Sequence, residues 1–202
     1  MLAKPTYKLT SSMINQWLYH MNTHSDKSRK NLENSIKGIY TDSPYFARGN
    51  KFEREVSGGS HKEFSDLLDP CEKQVWCQTY LDTVKLSFRI AGKLDAYDRK
   101  NQIIYDTKRV DSYYIGKYSE DNTIQHLLYF YMNEDAREFV YLIAYGKGDK
   151  VDGYERLVIK RPSDDDLKHK VLGTIVDFIN YLKYKGLWAD YLKAQKYTKK
   201  KY

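Results

Sequence analysis

Asp95, Asp106 and Lys108 fall within one short run, GKLDAYDRKNQIIYDTKR over 92–109, on stretches that read as neighbouring β-strands. Strands favour apolar and β-branched side chains, so charged groups there call for a reason. By the strand period of two, Asp106 and Lys108 point the same way as Ile104. Asp95 shares a face with Lys85, Ser87 and Arg89, opposite Val84, Leu86, Phe88 and Ile90, provided Gly92 adds no bulge. Two carboxylates forced together repel unless a cation lies between them, and a hard oxygen site suits Mg²⁺ or Mn²⁺. A lysine one step away adds charge beside an activated water or a developing phosphorane, which is the chemistry of phosphodiester hydrolysis. The same residues would also make a plain ion pair, Lys108 with Asp106 or Asp95, at a solvated sheet end. The residues alone leave both readings open.

The elements that must position these groups are legible in the period of the chain. LTSSMINQWLYHM opens with capping hydroxyls and continues with Met13, Ile14, Trp17, Leu18 and Met21 at helical spacing. A weaker helical segment ends near Tyr40, and YFARGNKFEREV is a third helix that stops at SGGS. From Lys73 the period changes: KQVWCQTYL and VKLSFRI alternate as two antiparallel strands, and NQIIYDTKRV is a third. REFVYLIAY is apolar on both faces, as a central strand would be, and YERLVIKR is a fifth. DNTIQHLLYFYMNE supplies the crossover that a parallel pair requires. Ser163 caps a long closing helix with three aspartates in its first turn and Leu167, Val171, Ile175, Ile179 and Leu182 on one face. The expected fold is α/β, of the α+β kind, with a mixed sheet of about five strands flanked by helices. The chain reads as one domain over 1–202: a helical part over 1–70, the sheet core and closing helix over 73–188, and a basic tail over 189–202.

With 41% hydrophobic and 30% charged residues in 202, the balance is globular rather than disordered. Two cysteines and five scattered histidines are too few for a disulfide scaffold or a zinc site, which indicates a reducing, cytoplasmic setting. No stretch reaches the length of a membrane span and the N-terminus has no apolar run, so a soluble protein with no membrane partner is expected. The formal charge of +7 suits a polyanion such as DNA. Twenty tyrosines invite a stacking platform, for which Tyr113, Tyr114 and Tyr118 are the exposed candidates, while Tyr141 and Tyr145 read as core.

GKLD, eleven residues before YDTK, resembles the paired motifs of the PD-(D/E)XK nuclease superfamily. GNKFE, residues 49–53, and QHLLY, residues 125–129, resemble two further motifs of its RecB-like branch, which includes lambda-type phage exonucleases and CRISPR adaptation nucleases. The resemblance covers residues 45–135 and implies a restriction-endonuclease-like core and a Mg²⁺- or Mn²⁺-dependent deoxyribonuclease of phage or bacterial DNA processing. It implies Asp95 and Asp106 as metal ligands, the Thr107 carbonyl as a third, and Glu53 binding directly or through water, where many relatives carry His. It implies that Lys108 orients or activates the attacking water, and that Gln125 and Tyr129 position DNA or brace the site. Cys71 and Cys77 match neither the number nor the placement of the branch's iron–sulfur ligands, so no cluster is expected. No P-loop is present, so a helicase or recombination partner would be a separate chain. The competing expectation is a non-catalytic nucleic-acid-binding or protein-interaction module on the same fold.

Overall fold

The computed structural model describes residues 4–39 and 44–197, the side chains of 44–46 excepted. The end of the second helix near Tyr40 and the lysines 199–201 of the tail lie outside the described residues. Strand β1 (Thr6–Leu9) precedes four helices, α1 (Ser11–Thr23), α2 (Asp26–Ile36), α3 (Pro44–Ser57) and α4 (Lys62–Leu68). Strands β2 (Glu72–Asp82), β3 (Ser87–Asp98) and β4 (Ile103–Val110) lead into α5 (Gln125–Met132), followed by β5 (Glu138–Tyr145) and β6 (Gly153–Lys160). The chain then forms α6 (Asp164–Tyr184), α7 (Trp188–Ala194) and the two-residue β7 (Lys196–Tyr197).

All seven strands join one mixed sheet in the order β6-β5-β4-β3-β1-β7, with β2 also paired to β3. The fold is α/β as expected, with a larger sheet. The additions are β1, α4, α7 and β7. The first part is therefore not wholly helical, and residues 189–197 of the expected tail are structured. Thr6–Leu9 is too short to declare itself by periodicity; it becomes a strand by lying parallel to Ser87–Ile90.

Local signals hold where they are strong. Thr10 caps α1 by accepting from the Met13 N–H at 3.3 Å, and Ser163 caps α6 by accepting from Asp166 at 3.2 Å. The segment Phe139–Ala144 of β5 is buried throughout, as its doubly apolar pattern requires. Its alternate residues feed two cores. Phe139, Tyr141 and Ile143 join the larger one, with Trp17, Leu127 and Phe178 from α1, α5 and α6. Val140, Leu142 and Ala144 join the smaller one, with Phe52, Val56, Phe64 and Leu68 from α3 and α4. Val84 was expected on the apolar face of β3 but is 91% exposed. The β2–β3 hairpin turns there, because Thr83 and Leu86 close the loop by bonds of 2.8–3.0 Å.

Strand β3 positions the candidate site. β2 lines one of its edges, while the other is shared: β1 pairs with Ser87–Ile90 and β4 with Ala96–Asp98. Between them, on that shared edge, Ala91 to Asp95 has no strand partner, and the sheet forks. Parity also inverts there. Leu94 belongs to the larger core and Ala96 to the smaller, although two residues of a regular strand share a face. The irregularity thus falls at Asp95 rather than at Gly92, opposite Gln74, whose φ is +59°. Gly92 has a different use. A Cβ there would lie 2.3 Å from Tyr129 Cε1, so only glycine lets that buried ring lie against the open edge.

Gly92→Ala is therefore expected to destabilise the fold by ~1–3 kcal/mol through overpacking against Tyr129, read as a lowered midpoint of urea denaturation. An unchanged midpoint would show that the ring moves freely.

Candidate active site

Where β3 and β4 part, a side chain replaces the missing main-chain acceptor. Asp95 Oδ2 accepts from the Thr107 backbone N–H at 2.7 Å and from its hydroxyl at 2.8 Å. In a strand a residue's N–H and C=O point to the same edge, so the Thr107 carbonyl is directed toward the fork as well. One residue back, Asp106 lies on the α5 side of the sheet beside its β5 partner Tyr141. Its Oδ1 accepts from Gln125 Nε2 at 2.6 Å. Its Oδ2 is fully buried and lies 2.5 Å from Lys108 Nζ, yet it has no partner of hydrogen-bonding geometry. The ammonium neutralises the oxygen obliquely and leaves a lone pair without a donor. Lys108 Nζ also lies 5.8 Å from the centre of the Tyr141 ring, which floors the site.

Glu53 reaches the site from α3, its Oε1 held by Gln74 Nε2 at 2.7 Å. Three carboxylates therefore face one ammonium. Burial, with repulsion from Asp95 and Glu53 added, outweighs the pull of Lys108 and pushes the Asp106 carboxyl up to about 7. For Lys108, burial favours the neutral amine, but the attraction of Asp106, Asp95 and Glu53 together wins and holds the proton more tightly. Both members of the pair gain proton affinity, as a cluster with surplus negative charge should. Two aspartates, an uncapped lone pair and a strand carbonyl are hard oxygen donors, and their chemistry fits a divalent cation. Among the described residues no three His, Cys, Asp or Glu side chains meet as a ready metal cluster, and Glu53 Oε1 accepts from Gln74.

Asp95, Asp106, Thr107, Lys108, Glu53, Gln125 and Tyr129 lie around the fork, in different attitudes. Tyr129 is only 6% exposed, and its hydroxyl donates to the Lys93 carbonyl on the open edge of β3 at 3.1 Å. The buried ring is packed against the fork, whereas Gln125, partly exposed, donates to Asp106. Arg109 turns to the other face, where its guanidinium donates to the carbonyls of Val110, Gly146, Gly148 and Lys150 and pins the β5–β6 loop. Tyr118, expected to be exposed, is buried and stacked on Tyr141 at 4.5 Å, because the segment after β4 folds back over β5. Cys71 and Cys77 are free, buried in different cores, and burial raises both thiols, Cys71 to about 11. Gln74 was missed, because its role depends on cross-strand register. The hydroxyl of Thr107 was also missed, though a threonine beside the aspartate was in plain view.

No protein-family model and no curated protein matches the sequence. Among solved structures, the fold is similar to that of SSO0001, at 15% identity and a TM-score of 0.51, over 84% of this chain and 76% of that one. The chain is also similar to a phage related exonuclease from Haemophilus somnus 129PT, at 13% identity and a TM-score of 0.47, over 88% and 96% of the two chains. A third similar structure is the alkaline exonuclease LHK-Exo from Laribacter hongkongensis, at 14% identity and a TM-score of 0.37, over 89% and 93%. The likeness to SSO0001 is one of fold: a mixed sheet flanked by helices, as expected from the sequence. Among the described residues no helix is long and apolar enough to cross a membrane.

The raised Asp106 carboxyl has a consequence for stability. The folded state binds this proton more tightly than the unfolded chain, so the contribution is complete below about pH 4 and is lost as the pH rises through about 7. Metal-free protein should therefore lose stability from about pH 4 to 7. Asp106→Asn, which carries no charge, should flatten that loss by up to ~4 kcal/mol, measured by urea denaturation in EDTA. Identical pH slopes for the two proteins would contradict the electrostatic account.

Proposed function

We propose that the protein is a divalent-metal-dependent deoxyribonuclease of the RecB-like kind, hydrolysing phosphodiester bonds in phage or bacterial DNA processing. The observation that carries the reading is the meeting of Asp95, Asp106 and Lys108 at the fork of the sheet, with Glu53 and Gln125 around them. A binding module has no use for buried carboxylates that repel phosphate.

Asp95, Asp106 and the Thr107 carbonyl would hold the ion, with Glu53 beside them. When bound, Mg²⁺ or Mn²⁺ supplies the positive charge that offsets these carboxylates against a phosphodiester. The chain's own residues do the rest. Thr107 fixes the Asp95 carboxylate through two hydrogen bonds, and Gln125 fixes Asp106 through one. Lys108 is held protonated beside Asp106. With the Asp106 charge offset by a cation, its ammonium would hold the attacking water or the charge that develops on phosphorus oxygens. Tyr141 and Tyr129 wall the α5 side with aromatic surface and limit the approach of bulk water.

Asp106→Ala is expected to abolish cleavage of linear DNA in Mg²⁺ or Mn²⁺, with EDTA doing the same to the wild type. Lys108→Ala should retain DNA binding and lower kcat by ~10²- to 10³-fold, the usual loss for one preorganised charge at a transition state. Metal-dependent turnover that survives Asp106→Ala would refute the site. A raised KM with unchanged kcat would reduce Lys108 to a phosphate contact.

A further inference from the structure

The helices of the smaller core cover the sheet only from the C-terminal end of β3 across β4 and β5. The other half, β2-β3-β1-β7, has its far face buried in the larger core through Tyr7, Leu9, Cys77, Phe88 and Ile90. Among the described residues, nothing helical covers its near face. Cross-strand register sets what that face displays. Trp76 stands beside Lys93, and Tyr80 beside Arg89, which is in turn beside Lys8. Trp76 is 72% exposed and Tyr80 47%, unusual for large aromatics in the middle of a strand. They lie four residues apart on one strand, about 13 Å.

Positive charge predominates on this face. Lys8 and Lys93 are exposed, and Arg89 lies half-buried between them. Of the β2 carboxylates, Asp82 stands at one end of this face, and Glu72, opposite Tyr97 of the larger core, is paired with Arg99 at 2.7 Å. Arg89 is held in place: its Nε donates to Gln78 at 2.9 Å and its guanidinium covers the Tyr197 ring at 4.6 Å. The row also leads somewhere. Two residues from Trp76 along β2 is Gln74, which holds Glu53 at the fork. Lys93 is two residues from Asp95 along β3.

We propose that this uncovered face binds single-stranded nucleic acid, stacking bases on Trp76 and Tyr80 and pairing phosphates with Lys8, Arg89 and Lys93, and that it guides the strand to the fork. Flat aromatics among cations on an open sheet suit unpaired bases, whose faces are exposed, and not a duplex, whose bases are stacked on one another. The inference builds on the nuclease reading by naming the form of the substrate.

Its test is the affinity for a short fluorescent single strand and for the matching duplex, at fixed ionic strength in EDTA, where no cleavage intervenes. Wild type should prefer the single strand. Trp76→Ala should weaken that binding by ~5- to 100-fold, the range for losing one stacked base, with its denaturation midpoint unchanged because the side chain is exposed. Lys93→Ala should flatten the salt dependence by about 0.7 in log–log slope. The proposal is overturned if the wild type binds no oligonucleotide, if it prefers the duplex, or if neither variant alters affinity. It is also overturned if Trp76→Ala changes the protein's sedimentation and not its affinity, since the face is then a protein contact. Cleavage assayed in parallel keeps the two readings apart: metal-dependent cleavage without Trp76-dependent binding sinks the face alone, and the reverse result sinks the nuclease alone.

Discussion

Surplus negative charge is held where the sheet divides. At that point β3 cannot pair with β4 through its main chain, and the Asp95 carboxylate accepts the Thr107 N–H in its stead. The substitution repairs the ladder at the cost of bringing a carboxylate next to Asp106 and Glu53. One ammonium, Lys108, offsets part of that charge. The fold thus gathers its surplus of carboxylates at the place where it departs from regular structure.

The surroundings of the fork keep this arrangement from relaxing. Gln74 holds a left-handed backbone, which costs on the order of 1–2 kcal/mol for a residue with a side chain, and from there its amide fixes Glu53. Gly92 admits the Tyr129 ring against the open edge, and the ring's hydroxyl satisfies the Lys93 carbonyl that no strand reaches. On the far side, Arg109 spends its donors on the loop after β5 and so stays out of the charge balance of Asp106. Each is a local departure from propensity whose reason lies in a distant contact, which is how functional sites commonly differ from the rest of a fold.

That pattern explains how much could be read from the sequence. The capped helices, the doubly buried β5 and the crossover α5 rest on short-range periodicity and stood out at once. So did the spacing of Asp95, Asp106 and Lys108, because parity and spacing are local properties. β1 did not, since its strand character comes from β3, some eighty residues away. The parity inversion at Asp95 was invisible for the same reason: it depends on which strand ends where. Exposure was the weakest inference of all. Tyr118 went to the core, because composition is silent about which half of a sheet the helices and loops cover.

Diffraction from crystals soaked in Mn²⁺, recorded at the manganese absorption edge, tests most directly whether the fork is a cation site. The account predicts an anomalous peak between the carboxylates of Asp95 and Asp106, with the Lys108 ammonium withdrawn from Asp106 Oδ2. Saturating Mn²⁺ with no peak at the fork, and the Lys108–Asp106 ion pair unchanged, would contradict it.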